Sequence, residues 1–177
     1  MSAIRRRPRS VTDLRVPAGP QAQRSRLTRI GARALIGRSR EGERIQVGPG
    51  AVTIQATAAD SDGRLAVIEY DVAPGFPGPP LHVHPFDEFF YVLEGEVTFG
   101  LGDSEVTLEA GGYVYVPGEE AHTFLNRSAQ PARLLVVAVP GGFEEFFRGV
   151  ATATADGQMP DPETMARLNA EHGVRFV

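Results

Sequence analysis

The 177 residues, 42% of them apolar, suit one compact domain with a single core. There is no cysteine, and all 18 basic residues are arginine, so disulfides, thiolate metal sites, cysteine nucleophiles, Schiff-base lysines and the P-loop lysine are excluded. The formal charge of −4 divides into a basic arm, with 12 arginines against three acids over residues 1–44, and an acidic body, with six arginines against 19 acids over residues 45–177, which argues against a nucleic-acid-binding domain.

In chain order, residues 1–36 form an Arg-rich arm with Pro8, Pro17 and Pro20 and few large apolar residues. That composition buries too little surface to offset ordering entropy, and the arm is expected to lack regular structure. Residues 37–140 read differently. Short segments rich in Val, Ile, Phe and Tyr alternate with Gly, Pro and Asp turns, the pattern of an all-β barrel or sandwich. Strands are expected over 44–47, 52–56, 65–72, 81–84, 88–93, 96–101, 105–108, 113–116, 122–126 and 133–139. Asp62-Gly63, Glu94-Gly95, Gly102-Asp103 and Gly111-Gly112 supply the turns between several of them.

Residues 141–177 read as a tail of two helices packed on the barrel. Phe143, Phe146, Phe147 and Val150 make one apolar stripe at i, i+3, i+4 and i+7, with Glu144 and Glu145 near the positive end of the helix. Asp161-Pro162 is an N-cap followed by a first-turn proline, and Gly173 is the helix stop. The sequence shows neither an apolar run of membrane-spanning length nor a leading signal segment, so a cytoplasmic protein without membrane association is expected.

Four histidines are present, and His82, His84 and His122 fall on predicted strands. His82 and His84 are two residues apart, so both imidazoles point to one face of a strand. Glu88 heads the apolar segment EFFYVLEG and shares a face with Phe90 and Val92. A carboxylate at the head of an inward-facing row needs a partner, and a cation answers that need. His122 shares its face with Phe124 and Asn126. Three neutral imidazoles and one carboxylate on a divalent ion leave a net charge near +1 and open coordination positions, which suit an anionic ligand or O₂. His172, in the last turn of the final helix, complements the helix dipole and is read as no ligand. Asp87 points away from Glu88 and is read as turn or rim, and Glu119 and Glu120 as a solvated turn.

The stretch HVHPFDEFFYVLEG, His82-x-His84-x3-Glu88-x6-Gly95, resembles the first motif of the cupin superfamily, and PGEEAHTFLN, Pro117-x4-His122-x3-Asn126, resembles the second. PGGFEEFFR after the barrel is similar to the tail of small single-domain cupins related to quercetin 2,3-dioxygenase. Two glycines are displaced from that pattern. Gly75 lies seven residues before His82, with Phe76 in the usual place, and Glu119 stands where a glycine is usual, with Gly118 one position early.

The resemblance implies a double-stranded β-helix (jelly-roll) barrel with His82, His84, Glu88 and His122 holding a divalent transition metal (Fe, Mn, Ni, Co, Cu or Zn). It also implies a metal-dependent dioxygenase acting with O₂ on a flavonol-like, enolisable aromatic or polyketide-type small molecule, with Glu88 doubling as the base. Two alternatives stay open, a metal-dependent lyase, isomerase or cyclase without O₂, and a cupin that binds a small molecule without converting it. Phe90, Phe124 and Tyr70 are the substrate-pocket candidates, the first two because each lies two residues beyond a ligand on the same face. A homodimer is expected from cupin habit and from a sheet edge that needs cover.

Overall fold

The computed structural model of the protein describes residues 28–30, 34–38, 41–153 and 158–177. In chain order the elements are β1 (Thr28–Ile30), β2 (Ala34–Ile36), β3 (Glu43–Val47), β4 (Gly50–Ala56), α1 (Ala58–Ser61), β5 (Ala66–Val72), β6 (His82–Val83), β7 (Asp87–Glu94), β8 (Glu96–Leu101), β9 (Ser104–Glu109), β10 (Tyr113–Val116), β11 (His122–Leu125), β12 (Ala132–Val139), α2 (Glu144–Ala153), α3 (Pro162–Glu171) and β13 (Arg175–Phe176). Two antiparallel sheets form the jelly roll. One runs β10-β7-β12-β5-β4-β3 and the other β13-β6-β11-β8-β9, while β1 and β2 form a two-stranded sheet of their own among the described residues.

The period-two pattern decides which side chains are inside. Along β7, Glu88, Phe90 and Val92 are buried while Phe89 and Tyr91 are exposed; along β12, Ala132, Leu134, Val136 and Ala138 are buried. Opposite these, Val97 and Phe99 of β8 and Phe124 of β11 complete one core cluster with Val114 and Val116 of β10. A second cluster joins Ile45, Val52, Ile54 and Ile68 to Phe147, so α2 closes the barrel at the β3–β4 end.

Glu144 fixes where α2 begins. Its fully buried carboxylate accepts the backbone N–H of Ala58 at 2.6 Å and of Gly142 at 2.8 Å, so it ties the helix to the start of α1. Arg148 adds a bond from Nη2 to Glu43 at 2.7 Å on β3. At α3 the expected caps are present. Asp161 Oδ1 accepts from the N–H groups of Glu163 and Thr164, both at 3.0 Å, and Gly173 leaves the helix at φ +72°.

Three features were not expected from the sequence. Within residues 1–36, expected to be mostly without regular structure, 28–30 and 34–36 form β1 and β2 in the register Thr28↔Ile36. The β-branched Thr28, Ile30 and Ile36 favour extended backbone, a local preference that the arm's overall composition outweighed in the reading. The rest of the arm lies outside the described residues. The short helix α1 is held by a capping box between Thr57 and Asp60. Finally, the tail contributes a strand as well as helices, because β13 pairs with β6 in the register Phe176↔His82.

Candidate metal centre

His82 and His84 lie on or beside the two-residue strand β6, Glu88 near the start of β7 and His122 at the start of β11. The antiparallel ladders set His122 directly across from His82, and all four side chains are buried. The ligand-capable nitrogens of His82, His84 and His122 lie within 4.8 Å of one another. Glu88 Oε2 is 3.0 Å from both His84 Nε2 and His122 Nε2, and those two nitrogens are 3.2 Å apart. The four residues expected as ligands therefore meet between the two sheets, with His82 and His122 from one, Glu88 from the other and His84 just beyond β6.

The outer hydrogen bonds decide the protonation of the rings. Each Nδ1 sits 2.9 Å from a backbone carbonyl, His82 from Pro80, His84 from Phe86 and His122 from Glu120. A carbonyl can only accept, so each Nδ1 carries the proton and donates it. In the neutral rings every Nε2 then presents a lone pair to its neighbours and to the Glu88 carboxylate. Such a set of converging acceptors is unfavourable unless a positive charge sits among them.

Burial and these bonds set the charge of three of the four groups. Burial, helped by His122, lowers His82 to about 4, so it is neutral near pH 7. Glu88 is held below the usual carboxylate range: burial pushes it up, but the bonds to His122 and His84 outweigh burial. His122 moves upward, because the bonds to Glu88 and the Glu120 carbonyl outweigh its own desolvation. A neutral His82 and an ionised Glu88 with the outer nitrogens fixed by hydrogen bonds suit a divalent first-row ion, and the upward shift of His122 means that such an ion would displace a proton shared with Glu88.

The cluster opens into a cavity of about 400 Å³. Tyr70, Phe90 and Phe124, the expected pocket residues, all line it together with His82, Glu88 and His122. Phe90 stands one layer from the ligands, with its ring centroid 6.1 Å from that of His122. Tyr70 packs edge-on against Phe124 at 5.4 Å and Phe147 at 5.5 Å, and burial followed by the Glu88 charge raises its phenol well above the ordinary value. The sequence reading missed much of the wall. Phe143, Phe146 and Phe147 had been legible as a helix stripe but not as cavity lining, and Met165, Asn169 and Phe176 of the tail had given no signal at all. A separate polar hollow of about 440 Å³, lined by Arg44, Asp71, Glu94 and Arg133, does not reach the cluster.

The residues set aside also have places. Asp87 faces outward and accepts the Gly118 N–H at 2.8 Å and the Tyr115 hydroxyl at 2.7 Å. Glu119 and Glu120 are exposed in the turn before β11. His172 caps α3 and packs edge-on against Phe146 at 5.8 Å. Asn126 is buried, and its Oδ1 accepts the Ser128 N–H at 2.9 Å, so it closes the turn after β11.

The displaced glycines now have a physical account. A Cβ on Gly118 would lie 2.7 Å from the Pro85 carbonyl oxygen, so close backbone approach requires glycine there. The left-handed conformation falls one residue later on Glu119 (φ +66°), whose N–H donates to the His84 carbonyl at 2.7 Å. Gly75 likewise takes its turn at φ +66°, which leaves Phe76 to line the cavity.

Residues 68–138 match a family model described as Cupin domain. Quercetin 2,3-dioxygenase from Bacillus subtilis (strain 168) is 31% identical over 121 residues, or 67% of this chain; the chain spans only about a third (35%) of that relative's length. Among solved structures, an RmlC-like cupin from Shewanella frigidimarina NCIMB 400 superposes with a TM-score of 0.54 at 18% identity, over 62% of this chain and 93% of that one. An oxalate decarboxylase from Bacillus subtilis gives 0.51 at 20% identity, over 56% of this chain and 27% of that one. At these identities the two structures share a fold with the chain and carry no argument about its chemistry. No helix among the described residues is long and apolar enough to cross a membrane.

Proposed function

The chain belongs to the cupin superfamily, and from that premise we propose that it is a metal-dependent dioxygenase of the quercetin 2,3-dioxygenase-like type. Its substrate class is a flavonol-like, enolisable aromatic or polyketide-type small molecule, consumed together with O₂. The observation that carries this reading is the aromatic-walled cavity of about 400 Å³ opening directly onto His82, Glu88 and His122. That volume is of small-molecule size, and flat aromatic walls favour a flat aromatic guest.

Four residues would hold the metal: His82, His84 and His122 through Nε2, and Glu88 through a carboxylate oxygen. A divalent transition ion bound there supplies Lewis-acid polarisation of a substrate hydroxyl. Glu88 then has the protein's part in proton transfer. Its Oε2 faces the His84 and His122 nitrogens, whereas Oε1 has no hydrogen bond among the described residues and Glu88 lines the cavity. Oε1 is thus the acceptor for the substrate's hydroxyl proton, and the lowered pKa of Glu88 keeps it ionised and ready. Phe90, Phe124 and Tyr70 position the ring, and the apolar wall excludes competing water.

The test is O₂ uptake by purified protein whose metal content has been measured, with quercetin as the probe substrate, beside Glu88→Gln. The expected result is quercetin-dependent O₂ consumption by the parent. In Glu88→Gln, which retains part of the metal, turnover falls by about 100-fold or more, the usual scale of a general base. Product formation without O₂ uptake would move the reading to a lyase, isomerase or cyclase, and an active Glu88→Gln enzyme would remove the base assignment. We also propose that the protein is a cytoplasmic homodimer. What supports the dimer is β10, an edge strand whose Tyr113 and Tyr115 are exposed. A monomer in light scattering would overturn that state.

A further inference from the structure

Outside the ligand cluster, three side chains with hydrogen-bonding groups line the cavity: Tyr70, Asp71 and Asn169. Asp71 is engaged by Arg44 on the barrel exterior. The Asn169 amide has no hydrogen-bond partner among the described residues, although the residue is only 6% exposed. Its backbone carbonyl is already used, accepting from His172 N–H at 3.2 Å and Val174 N–H at 2.8 Å. The amide is therefore the free polar group at this point of the wall.

Its position on α3 sharpens the question. Met165, Leu168 and Asn169 fall at i, i+3 and i+4, the stripe that faces inward, and Met165 lines the same cavity. The amide atoms keep contact with the cavity's solvent, so the cost falls on a ligand that fills the cavity without pairing them: an amide stripped of water and left without a partner costs about 1–3 kcal/mol. A ligand hydroxyl or carbonyl that reaches the amide removes that penalty.

We propose that Asn169 forms a polar subsite on the helical wall of the cavity, recognising a hydroxyl or carbonyl on a flat aromatic ligand distinct from the group presented to His82, Glu88 and His122. The inference rests on the functional reading above and narrows its substrate class to aromatics carrying a second hydrogen-bonding substituent away from the reacting hydroxyl. The subsite belongs to the tail, outside the residues 68–138 that match the family model. Recognition of that second substituent is thereby assigned to α3. Tyr70, whose hydroxyl also has no partner among the described residues, is a second and separate donor on β5.

The experiment compares two flavonols with the full-length, metal-loaded protein under anaerobic conditions. Quercetin and galangin share the hydroxylated ring system that would face the cluster, but galangin lacks the two hydroxyls on the outer ring. The parent is expected to bind quercetin about five- to tenfold more tightly, the scale of one net hydrogen bond. Asn169→Leu should abolish that preference, bringing the two affinities to within about twofold of each other, and Asn169→Ala should do the same without adding bulk. Equal affinity of the parent for both flavonols, or a preference that survives in both variants, overturns the subsite while leaving the dioxygenase reading intact. Failure of the parent to bind either flavonol overturns the functional reading and the subsite with it.

Discussion

Phe176 lies directly across the β6–β13 ladder from His82, on the side of β6 opposite His122. The strand that carries the first ligand is thus only two residues long and is held between the second motif and the C-terminal strand. The Val177 N–H extends the ladder by donating to the Leu81 carbonyl at 3.0 Å.

Deleting residues 175–177 should therefore weaken the metal site while the barrel stays folded. Freeing the backbone of one residue is worth about 1–2 kcal/mol, which corresponds to roughly a tenfold loss of metal affinity if the His82 backbone gains that freedom. The check is elemental analysis after dialysis against a graded chelator, beside far-ultraviolet circular dichroism. Unchanged metal retention in the truncated protein would show that β6 is positioned by β11 alone.

The fate of individual residues shows what the sequence could carry. The β7 alternation and the two-residue spacing of His82 and His84 are local, so both the strand and the shared face were legible before any contact was known. Glu88 was legible for a related reason, since a carboxylate heading an inward row demands a partner. Phe143, Phe146 and Phe147 announced a buried helix face, yet their target depends on how α2 folds back over the barrel. Phe176 and Asn169 gave no signal, because the pairing of β13 with β6 and the placing of α3 are long-range outcomes with no periodic signature. The arm misled through its average composition, which hid two three-residue strands of ordinary β propensity.

Glu119 should be replaceable by glycine with a gain in stability. Its φ of +66° places a Cβ-bearing residue in the left-handed region, at a cost of roughly 1–2 kcal/mol. The compensating ion pair with Arg175 is exposed on both sides, and exposed pairs contribute only about 0–1 kcal/mol. The strain term is the larger one. Glu119→Gly is expected to stabilise by about 0.5–1 kcal/mol, raising Tm by about 1–4 °C for a chain of this length. Glu119→Ala keeps the strain and loses the pair, so it should fall slightly below the parent in the same melt. If Ala and Gly behaved alike, backbone strain would not be the cause.

Asp87 and Glu88 are adjacent in β7 and face opposite ways, and the outward one controls the loop that delivers His122. Asp87 accepts the Gly118 N–H and the Tyr115 hydroxyl, and in that order these bonds hold its carboxyl below the usual range. A carboxyl whose folded pKa is depressed contributes stability above its unfolded value of about 3.9, and that contribution is lost as the pH falls through the folded value. Asp87→Asn weakens both bonds at every pH. The difference in Tm between parent and Asp87→Asn should therefore be full at neutral pH and shrink steadily once the pH drops below about 4. Thermal melts of metal-depleted protein from pH 7 downward measure it, the depletion removing the competing protonation of metal ligands. A difference that stayed constant across that range would show that the carboxylate charge contributes nothing and that Asp87 acts only through its shape.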